Sequence, residues 1–557
     1  MTVKTLLRLI IYIVLLSFHK VSLAQIKLFN RAELATINKA VYTAVSQKAL
    51  QGKVLAFEFN KSIKDVPSII VEIEAQEIEF FMDETDNRQD YDYSWYGRSK
   101  DRLSSIALTY LDGYLAGNIF INTRNFIISP NGNGKIFLYE KSLDNIIPDH
   151  AESSKTPEEI IVPRTERLDA ENLRTNITDG VRKIRVLLAY TDAAETGILG
   201  AGFTIPLFLQ NAITLTNQTF VNSNVAHRVR LACGVRTFYN PSAEAQGHDN
   251  AANRLKILND GYMDEIITHR DNYSADVCVV IINNASICGS SAQIGSNSAN
   301  AYASVHWGCV TDNNTLGHEI GHLHGCRHNP EEDPANSPAA YGHGLRNDAN
   351  SWRTVMSYNC SPTCPRLPFW SNPDILFGGV PMGTTSTHDN ARLLDETSAA
   401  IAAYRTAPAT RTLTGTSNLV YKGYGEAIAT SEIILSDNLE VALGCELNVF
   451  VDPLAGNNDY FPFRIGADET VSVERELPEG PEFSIFPNPS SGLITVKATN
   501  GKKFDVTITD SSGQHVSDSN SGQESELKMK LKDHKPGLYI IQIKSEDKTY
   551  SRKIIIN

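Results

Sequence analysis

The pattern of hydrophobic and polar positions changes three times along the chain. From residue 25 to about residue 182, short stretches alternate apolar and polar positions, as in residues 105–109 and 115–121. Asp-Gly and Asn-Gly pairs, which favour tight turns, separate these stretches. Because a period of two is typical of strands with one buried face, this part is predicted to be mostly β.

From residue 183 onward, nearly continuous apolar runs are separated by stretches of helical periodicity. Such runs are typical of strands buried on both faces of a largely parallel sheet, so this part is predicted to be an α/β domain. The predicted strands are residues 184–190, 228–235, 277–282 and 301–306, the last at the sheet edge, and the predicted helices are residues 205–222, 253–268 and 390–405.

Beyond Pro408 the composition shifts to Thr, Ser and Gly, with short alternating stretches such as residues 428–435. This pattern predicts a small β spacer over residues 408–480, whose function the sequence does not indicate. The composition changes again at Phe483, where a further β unit is predicted to begin.

The first 24 residues have the pattern of a secretory signal peptide. Lys4 and Arg8 precede an apolar run over residues 9–18, and small residues precede Gln25, before which cleavage is predicted. A membrane anchor is the alternative, but this run is too short to cross a bilayer, and no later run is long enough. We therefore expect an exported protein without a stable membrane span.

The net charge of the chain limits the classes of binding partner that we expect. The 557 residues include 51 Lys and Arg against 64 Asp and Glu, a formal net charge of −13. With no long basic run, the sequence argues against nucleic acid and anionic membrane surfaces as partners.

Residues 318–328 carry the pattern HExxHxxGxxH, which is typical of a catalytic zinc site. On a helix, His318 and His322 lie one turn apart on the same face, with Glu319 beside them as a general base. Gly325 is predicted to end the helix and return the chain, so that His328 becomes the third ligand. Three protein ligands leave one position for water, as in a catalytic site with one Zn²⁺. His324 is predicted to lie on the helix surface, away from the metal.

Further motifs follow the histidines: Trp-Arg-Thr-Val-Met-Ser-Tyr-Asn-Cys at residues 352–360, Cys-Pro-Arg-Leu at 364–367 and Trp-Ser-Asn-Pro at 370–373. With the histidine motif, they resemble the metzincin zinc metallopeptidases, in particular the reprolysin-like and peptidyl-Asp metalloendopeptidase family. The likeness covers roughly residues 183–405 and implies an α/β catalytic domain that hydrolyses peptide bonds on the amino side of Asp. Cys326 and Asn329 depart from the residues usual in the family.

The resemblance also implies roles for single residues. Met356 matches the Met-turn below the metal, and Tyr358 matches a tyrosine that lies near the metal and bonds the oxyanion. The segment after the Met-turn lines the pocket for the residue past the scissile bond, where Arg366 is the candidate to bind a substrate carboxylate. Arg327 and Arg353 are the less favoured candidates. For Tyr358 and Arg366 the alternative is a purely local structural role.

The position of the N-terminal β part ahead of the catalytic part, and its likeness to reprolysin pro-regions over residues 93–120, imply an inhibitory propeptide. It contains no cysteine, so a thiolate cannot be its inhibitory group. An accessory β domain is the alternative reading.

Of the eight cysteines, seven lie in the catalytic part, and export permits disulfides. We expect Cys288 to pair with Cys309, and Cys326 with Cys360 or Cys364. A second metal site at Cys360 and Cys364 is the alternative, although no second thiol pair accompanies them. Structural calcium has no support in the sequence.

The C-terminal part begins with Phe-Pro-Asn-Pro at residues 486–489 and ends with Lys-Ile-Ile-Ile-Asn at residues 553–557. These motifs resemble the C-terminal sorting domain of the type IX secretion system of Bacteroidetes, which implies that machinery as a partner. An ordinary β-sandwich binding domain is the alternative.

The sequence thus predicts a multidomain protein: an α/β metzincin catalytic domain preceded by a mostly β propeptide and followed by small β domains. The predicted function is that of a secreted or cell-surface zinc endopeptidase acting on proteins or peptides. A catalytically weak metzincin-like adhesin or binding protein is the alternative. The predicted segments are a signal peptide (1–24), a propeptide (25–182), a catalytic domain (183–407), a β spacer (408–480) and a β-sandwich sorting domain (483–557).

Overall fold

The computed structural model describes residues 26–31, 37–60, 63–89, 91–132, 134–144, 146–149, 183–241, 247–257, 259–413, 424–429, 431–435, 446–451, 483–486, 493–498, 504–510, 515–520, 526–531, 537–545 and 548–556. The predicted signal peptide, the last part of the predicted propeptide (150–182), Cys445 and the Pro-Asn-Pro motif (487–489) lie outside the described residues. The chain is divided into two compact units, Met1–Gly466 and Ala467–Asn557.

The described helices belong to the first of these units. They are α1 Lys39–Ser46, α2 Asp192–Gly200, α3 Ile205–Asn222, α4 Gly247–Arg254, α5 Asp264–Asn272, α6 Trp307–Val310, α7 Thr315–His324 and α8 Asn390–Ile401, with a 3-10 turn at Asp348–Asn350.

The N-terminal region is mostly β, as predicted. Its ten strands form one sheet in the order β1-β4-β5-β6-β7-β8-β9-β10-β3-β2. Asp112 and Gly113 connect β7 to β8 with φ values of 49° and 86°, the left-handed pair that a tight hairpin requires. The strands are β1 Ile26–Lys27, β2 Phe29–Arg31, β3 Ala49–Phe59, β4 Ser68–Ile73, β5 Gln76–Gln89, β6 Asp92–Arg98, β7 Ser104–Leu111, β8 Tyr114–Ile121, β9 Arg124–Pro130 and β10 Lys135–Lys141.

Helix α3 has the bounds that the sequence predicted. Its polar side chains face this N-terminal sheet. The Thr214 and Ser94 hydroxyls lie 2.7 Å apart, and the Thr109 hydroxyl donates to Asn211 Oδ1 over 3.0 Å. Gln218 donates to the Ser105 hydroxyl. These polar groups are buried in the contact between the helix and the sheet, and they form hydrogen bonds across it. The polar face of the amphipathic helix is therefore not exposed to solvent.

The α/β part contains a seven-stranded sheet in the order β14-β15-β13-β11-β12-β21-β23. The pairs β11·β12, β11·β13 and β13·β15 are parallel, which confirms the largely parallel sheet. Two of its strands, β21 and β23, come from the range of the predicted spacer. The strands are β11 Lys183–Thr191, β12 Arg228–Thr237, β13 Val277–Ile282, β14 Gly289–Ser291, β15 Tyr302–His306, β21 Tyr424–Ala429 and β23 Glu446–Val451.

Three sequence predictions for this part were wrong in detail. The single helix expected at 253–268 is two helices, because Asp264 Oδ1 and Oδ2 accept from the amides of Asn259 and Gly261 in a turn. Residues 301–306 do not form the edge strand, since β14 pairs antiparallel outside β15. The last helix ends at Ile401, four residues early.

Six short strands pair in three further two-stranded sheets, β16·β17, β18·β19 and β20·β22. They are β16 Arg346–Asn347, β17 Trp352–Arg353, β18 Asn372–Phe377, β19 Val380–Met382, β20 Thr410–Leu413 and β22 Glu432–Leu435.

The C-terminal unit contains a three-stranded sheet, β24-β25-β28, and a four-stranded sheet, β27-β26-β29-β30. All described pairings in it are antiparallel, and buried residues of both sheets, such as Val496 and Ile541, share one hydrophobic cluster. The strands are β24 Phe483–Phe486, β25 Leu493–Ala498, β26 Asp505–Asp510, β27 His515–Asn520, β28 Glu526–Lys530, β29 Gly537–Ser545 and β30 Lys548–Ile556.

Within the described residues, no single helix has the length and apolar character needed to cross a membrane. Helices α2 and α3 meet those criteria of length and composition only as a pair, bent by 87°.

Candidate metal centre and substrate pocket

Helix α7 holds the first two predicted metal ligands. The helix ends where predicted, at Gly325 with φ 100°, a conformation that glycine adopts without steric cost. His318 Nδ1 lies 2.8 Å from the Val355 carbonyl oxygen, and His322 Nδ1 lies 2.9 Å from that of Cys326. Because a carbonyl only accepts, both Nδ1 atoms carry the proton, and both Nε2 atoms are left as acceptors.

The third histidine, His328, lies next to the other two, with its Nε2 atom close to both of theirs. His328 Nε2 lies 3.1 Å from His322 Nε2 and 3.3 Å from His318 Nε2, and all three side chains are buried. Two ligands at tetrahedral angles and ordinary Zn–N distances would be about 3.3 Å apart. A buried set of converging nitrogens, two of them fixed as acceptors, therefore fits a tetrahedral cation. Among the described residues, no other group of three His, Cys, Asp or Glu side chains is placed to hold a metal.

Glu319 directly follows His318 in α7 and is fully buried. Its carboxylate packs against Gly289 at the start of β14, where a Cβ atom would come within 2.6 Å of Glu319 Oε1. The absence of a side chain at Gly289 therefore leaves the room that the carboxylate occupies. The sequence gives no sign of this requirement.

We expect Gly289→Ala to lower kcat by about 10- to 100-fold, because the new methyl group displaces the Glu319 carboxylate from its position. Zinc content should stay unchanged, since the three histidines are not touched. Steady-state kinetics with metal analysis checks both expectations.

The matched control is Gly200→Ala at the end of α2, where the added Cβ meets no described atom within 4 Å. This variant should keep the wild-type kcat. An unchanged kcat in Gly289→Ala would show that the carboxylate does not depend on this space.

Met356, the predicted Met-turn residue, lies against Gly321 of α7. It is fully buried, and a Cβ at Gly321 would come within 2.8 Å of its sulfur. Asn329 Oδ1 accepts from the Tyr358 amide over 2.9 Å and from the Ser357 hydroxyl over 3.2 Å. Asn329, noted in the sequence only as a departure from the family, thus ties the third histidine's loop to the Met-turn.

Tyr358 lies beside the histidines, with its ring centroid 4.4 Å from that of His328. Burial, followed by the negative charge of Asp149, raises the pKa of Tyr358 to about 12. The phenol therefore keeps its proton at neutral pH and can donate a hydrogen bond.

Arg366 lies in a buried pocket together with Arg353, and both guanidinium groups contact the same carboxylate, that of Asp149. Arg353 Nη1 donates to Asp149 Oδ2 over 2.9 Å, and Arg366 Nη2 donates to the same oxygen. Asn313 Nδ2 donates to Asp149 Oδ1 over 3.1 Å. Burial, followed by the charge of Arg353, lowers the pKa of Arg366 to about 10. Arg366 therefore remains cationic at neutral pH.

Arg327, the third candidate for binding a substrate carboxylate, pairs with a different carboxylate, that of Asp333. Both carboxylate oxygens of Asp333 accept from Arg327 Nη1 over 3.0 Å, and the Ser337 carbonyl accepts from its Nε. The structure thus brings Arg353 and Arg366 together in one pocket and leaves Arg327 out of it.

The predicted disulfides were half correct. Cys288 and Cys309 are bonded, as expected. Cys326 is a free, buried thiol, and Cys360 is bonded to Cys364. The expected link from Cys326 to that pair was therefore wrong, as was the alternative of a second metal site there, since bonded sulfurs are not thiolate ligands.

The expected surface position of His324 was also wrong. His324 is buried, its Nδ1 lies 2.6 Å from the Thr397 hydroxyl of α8, and its ring stacks on His227. Burial lowers its pKa to about 3, so it is neutral. The face of α7 opposite the metal ligands packs on other elements, which helical periodicity alone does not reveal.

Comparison with known proteins adds two matched regions. Residues 181–371 match the metallopeptidase family M12, and residues 484–557 match the secretion system C-terminal sorting domain. The chain is 37% identical over 349 residues to a peptidyl-Asp metalloendopeptidase of Xanthomonas campestris pv. campestris, covering 60% of this chain and 81% of the relative. It is 34% identical over 389 residues to a peptidyl-Asp metalloendopeptidase of Stenotrophomonas maltophilia, covering 65% of this chain and 91% of the relative.

Proposed function

Because the chain belongs to the peptidyl-Asp metalloendopeptidases of family M12, we propose that His318, His322 and His328 hold the one catalytic Zn²⁺ of an exported endopeptidase. The observation that carries this assignment is the convergence of three buried Nε2 atoms, two of them fixed as acceptors by carbonyl groups. That the chain is a metalloendopeptidase with an export tail follows from its family and its sorting domain.

His318, His322 and His328 would hold the zinc ion, which would supply Lewis-acid polarisation of the substrate carbonyl and a more acidic water. The side chains of the protein supply the remaining steps. Glu319, buried beside the histidines, accepts the proton of the attacking water and delivers it to the leaving amine. Tyr358, kept protonated by its raised pKa, donates a hydrogen bond to the oxygen that gains negative charge. Met356 supports the helix from below.

Arg353 and Arg366 supply the proposed specificity for aspartate. A pocket that holds two buried guanidinium groups and the Asn313 amide is complementary to a short carboxylate side chain. Without a carboxylate the pocket would contain two neighbouring buried positive charges with no carboxylate bound directly to them, so neutral side chains are disfavoured there. We place the cleaved bond on the amino side of that aspartate; the relatives are named peptidyl-Asp metalloendopeptidases.

We assign residues 25–182 to a propeptide, 183–407 to the catalytic domain and 408–480 to a spacer that lends β21 and β23 to the catalytic sheet. Residues 483–557 are assigned to a β-sandwich sorting domain, since its two sheets share one core, with the type IX secretion machinery as partner.

The specificity is tested with three matched peptides that carry Asp, Asn or Leu past the scissile bond. For the secreted enzyme we expect kcat/KM to be highest for Asp. Arg366→Ala should reduce the preference for Asp over Asn by about 10- to 100-fold, since a charge-assisted bond contributes roughly 1.5 to 3 kcal/mol. Ratios of kcat/KM give the result.

Arg346→Ala is the control, because Arg346 lies in the same part of the chain but pairs with Glu332 on the surface. It should leave the preference unchanged. A wild-type enzyme with equal kcat/KM on all three peptides would refute the proposed specificity, and an unchanged preference in Arg366→Ala would clear Arg366 of this role.

A further inference from the structure

The carboxylate in the arginine pocket comes from the N-terminal region of the chain itself. Asp149 is 8% exposed and lies eight residues after β10, whereas Arg353 and Arg366 follow more than 200 residues later. Its two oxygens take up the donors of the pocket: Oδ2 accepts from both arginines and Oδ1 from Asn313. A substrate aspartate bound in this pocket would need the same donors.

The charges of the pocket account for this arrangement. The charge of Arg353 contributes to lowering the pKa of Arg366, and the charge of Asp149 opposes that effect. Asp149 therefore offsets a repulsion that the catalytic part contains by itself. Two buried cations around one carboxylate favour an occupant with a negative charge over a neutral one.

The backbone around Asp149 follows the edge strand of the catalytic sheet. The Cys288 amide donates to the Pro148 carbonyl over 2.7 Å, and the Gly289 amide donates to the Asp149 carbonyl over 3.4 Å. Gly289 begins the edge strand β14 and packs against Glu319. An extended substrate added to this edge would need these same amides.

We infer that Asp149 is an internal mimic of the substrate aspartate, and that residues 146–149 keep the enzyme inactive by occupying its specificity pocket and edge strand. The inference rests on the proposed function, since it gives the propeptide its inhibitory group at the same site. The Pro148 carbonyl, which would be attacked in a cleavage before Asp149, is bound by the Cys288 amide. The segment therefore acts by occupancy, and activation requires its departure from the pocket.

The test measures binding in the full chain, with Glu319→Gln as background so that the probe is not cleaved. The probes are two labelled, capped peptides that differ only in Asp or Asn. Adding Asp149→Asn should lower the Kd for the Asp peptide by at least about 10-fold, because the pocket then lacks its carboxylate. The Asn peptide should bind weakly to both proteins.

Asp144→Asn is the matched control, with the same change of charge five residues earlier on an exposed side chain that bonds Ser142. It should leave the Kd unchanged. Equal Kd values for the Asp peptide with and without Asp149→Asn would overturn the inference.

A second measurement needs no change at Asp149 and so does not depend on the folding of that variant. Carboxyl labelling of the full chain in the Glu319→Gln background should modify Asp144 readily and leave Asp149 protected. A saturating amount of the capped Asp peptide should raise the labelling rate of Asp149 at least several-fold. Continued protection of Asp149 while the peptide is bound would overturn the inference.

The two hypotheses fail in different ways. A secreted wild-type enzyme without a preference for Asp would count against the proposed function. An Asp-selective secreted enzyme whose full-length variants bind the Asp peptide equally would count against the internal mimic alone.

Discussion

Replacing Glu319 by glutamine is expected to lower kcat/KM by at least about 10²-fold while the zinc content per chain remains that of the wild type. Glutamine has nearly the same size and so preserves the packing against Gly289, but its amide cannot accept the proton of the attacking water. His318 and His322 keep their carbonyl partners, so metal binding should persist. Steady-state kinetics and metal analysis of the secreted protein give the two quantities.

Glu396→Gln is the control for the loss of one carboxylate, because Glu396 pairs with Arg392 on the surface of α8. It should retain full activity. Substantial activity in Glu319→Gln would refute the role of general base.

Replacing His328 by alanine is expected to weaken zinc binding by more than about 10²-fold and to abolish proteolysis. Loss of an outer partner of a metal ligand already costs about 10- to 100-fold in affinity, and loss of a ligand costs more. Two histidines from one helix then remain, which are too few protein ligands to hold zinc tightly. Competition with a chromogenic chelator measures the affinity.

His388→Ala is the matched control. His388 bonds Thr384 and is not part of the histidine cluster, so its removal should leave zinc affinity and proteolysis intact. Full zinc occupancy in His328→Ala under chelator competition would show that another group is the third ligand.

The cluster of three histidines could be predicted from the sequence because its geometry is local. His318 and His322 share one helix, and Gly325 supplies the turn that returns His328, so the spacing in the sequence nearly determines the spacing in space. The strands of the parallel sheet could be predicted for a similar reason, since each is a continuous apolar run such as Val277–Ile282.

Contacts between residues far apart in the chain could not be predicted in this way. Arg366 stood out from its family context, but Asp149 had no motif, and its partners lie 204 and 217 residues away. The burial of His324 against α8 likewise depends on how distant segments pack. Periodicity identifies the buried face of a helix, yet it cannot tell whether the polar face is also covered.

The buried polar face of helix α3 affects the solubility of the catalytic part. Its contact with the N-terminal sheet contains hydrogen bonds such as Thr109 to Asn211, with a small apolar cluster that includes Tyr96 and Leu215. Water can replace each such bond at a net cost of only about 0.5 to 1.5 kcal/mol. A catalytic part freed from the proposed propeptide would therefore present a hydrated helix to the medium and not an apolar one. The mature enzyme should stay dispersed without a partner to shield that surface.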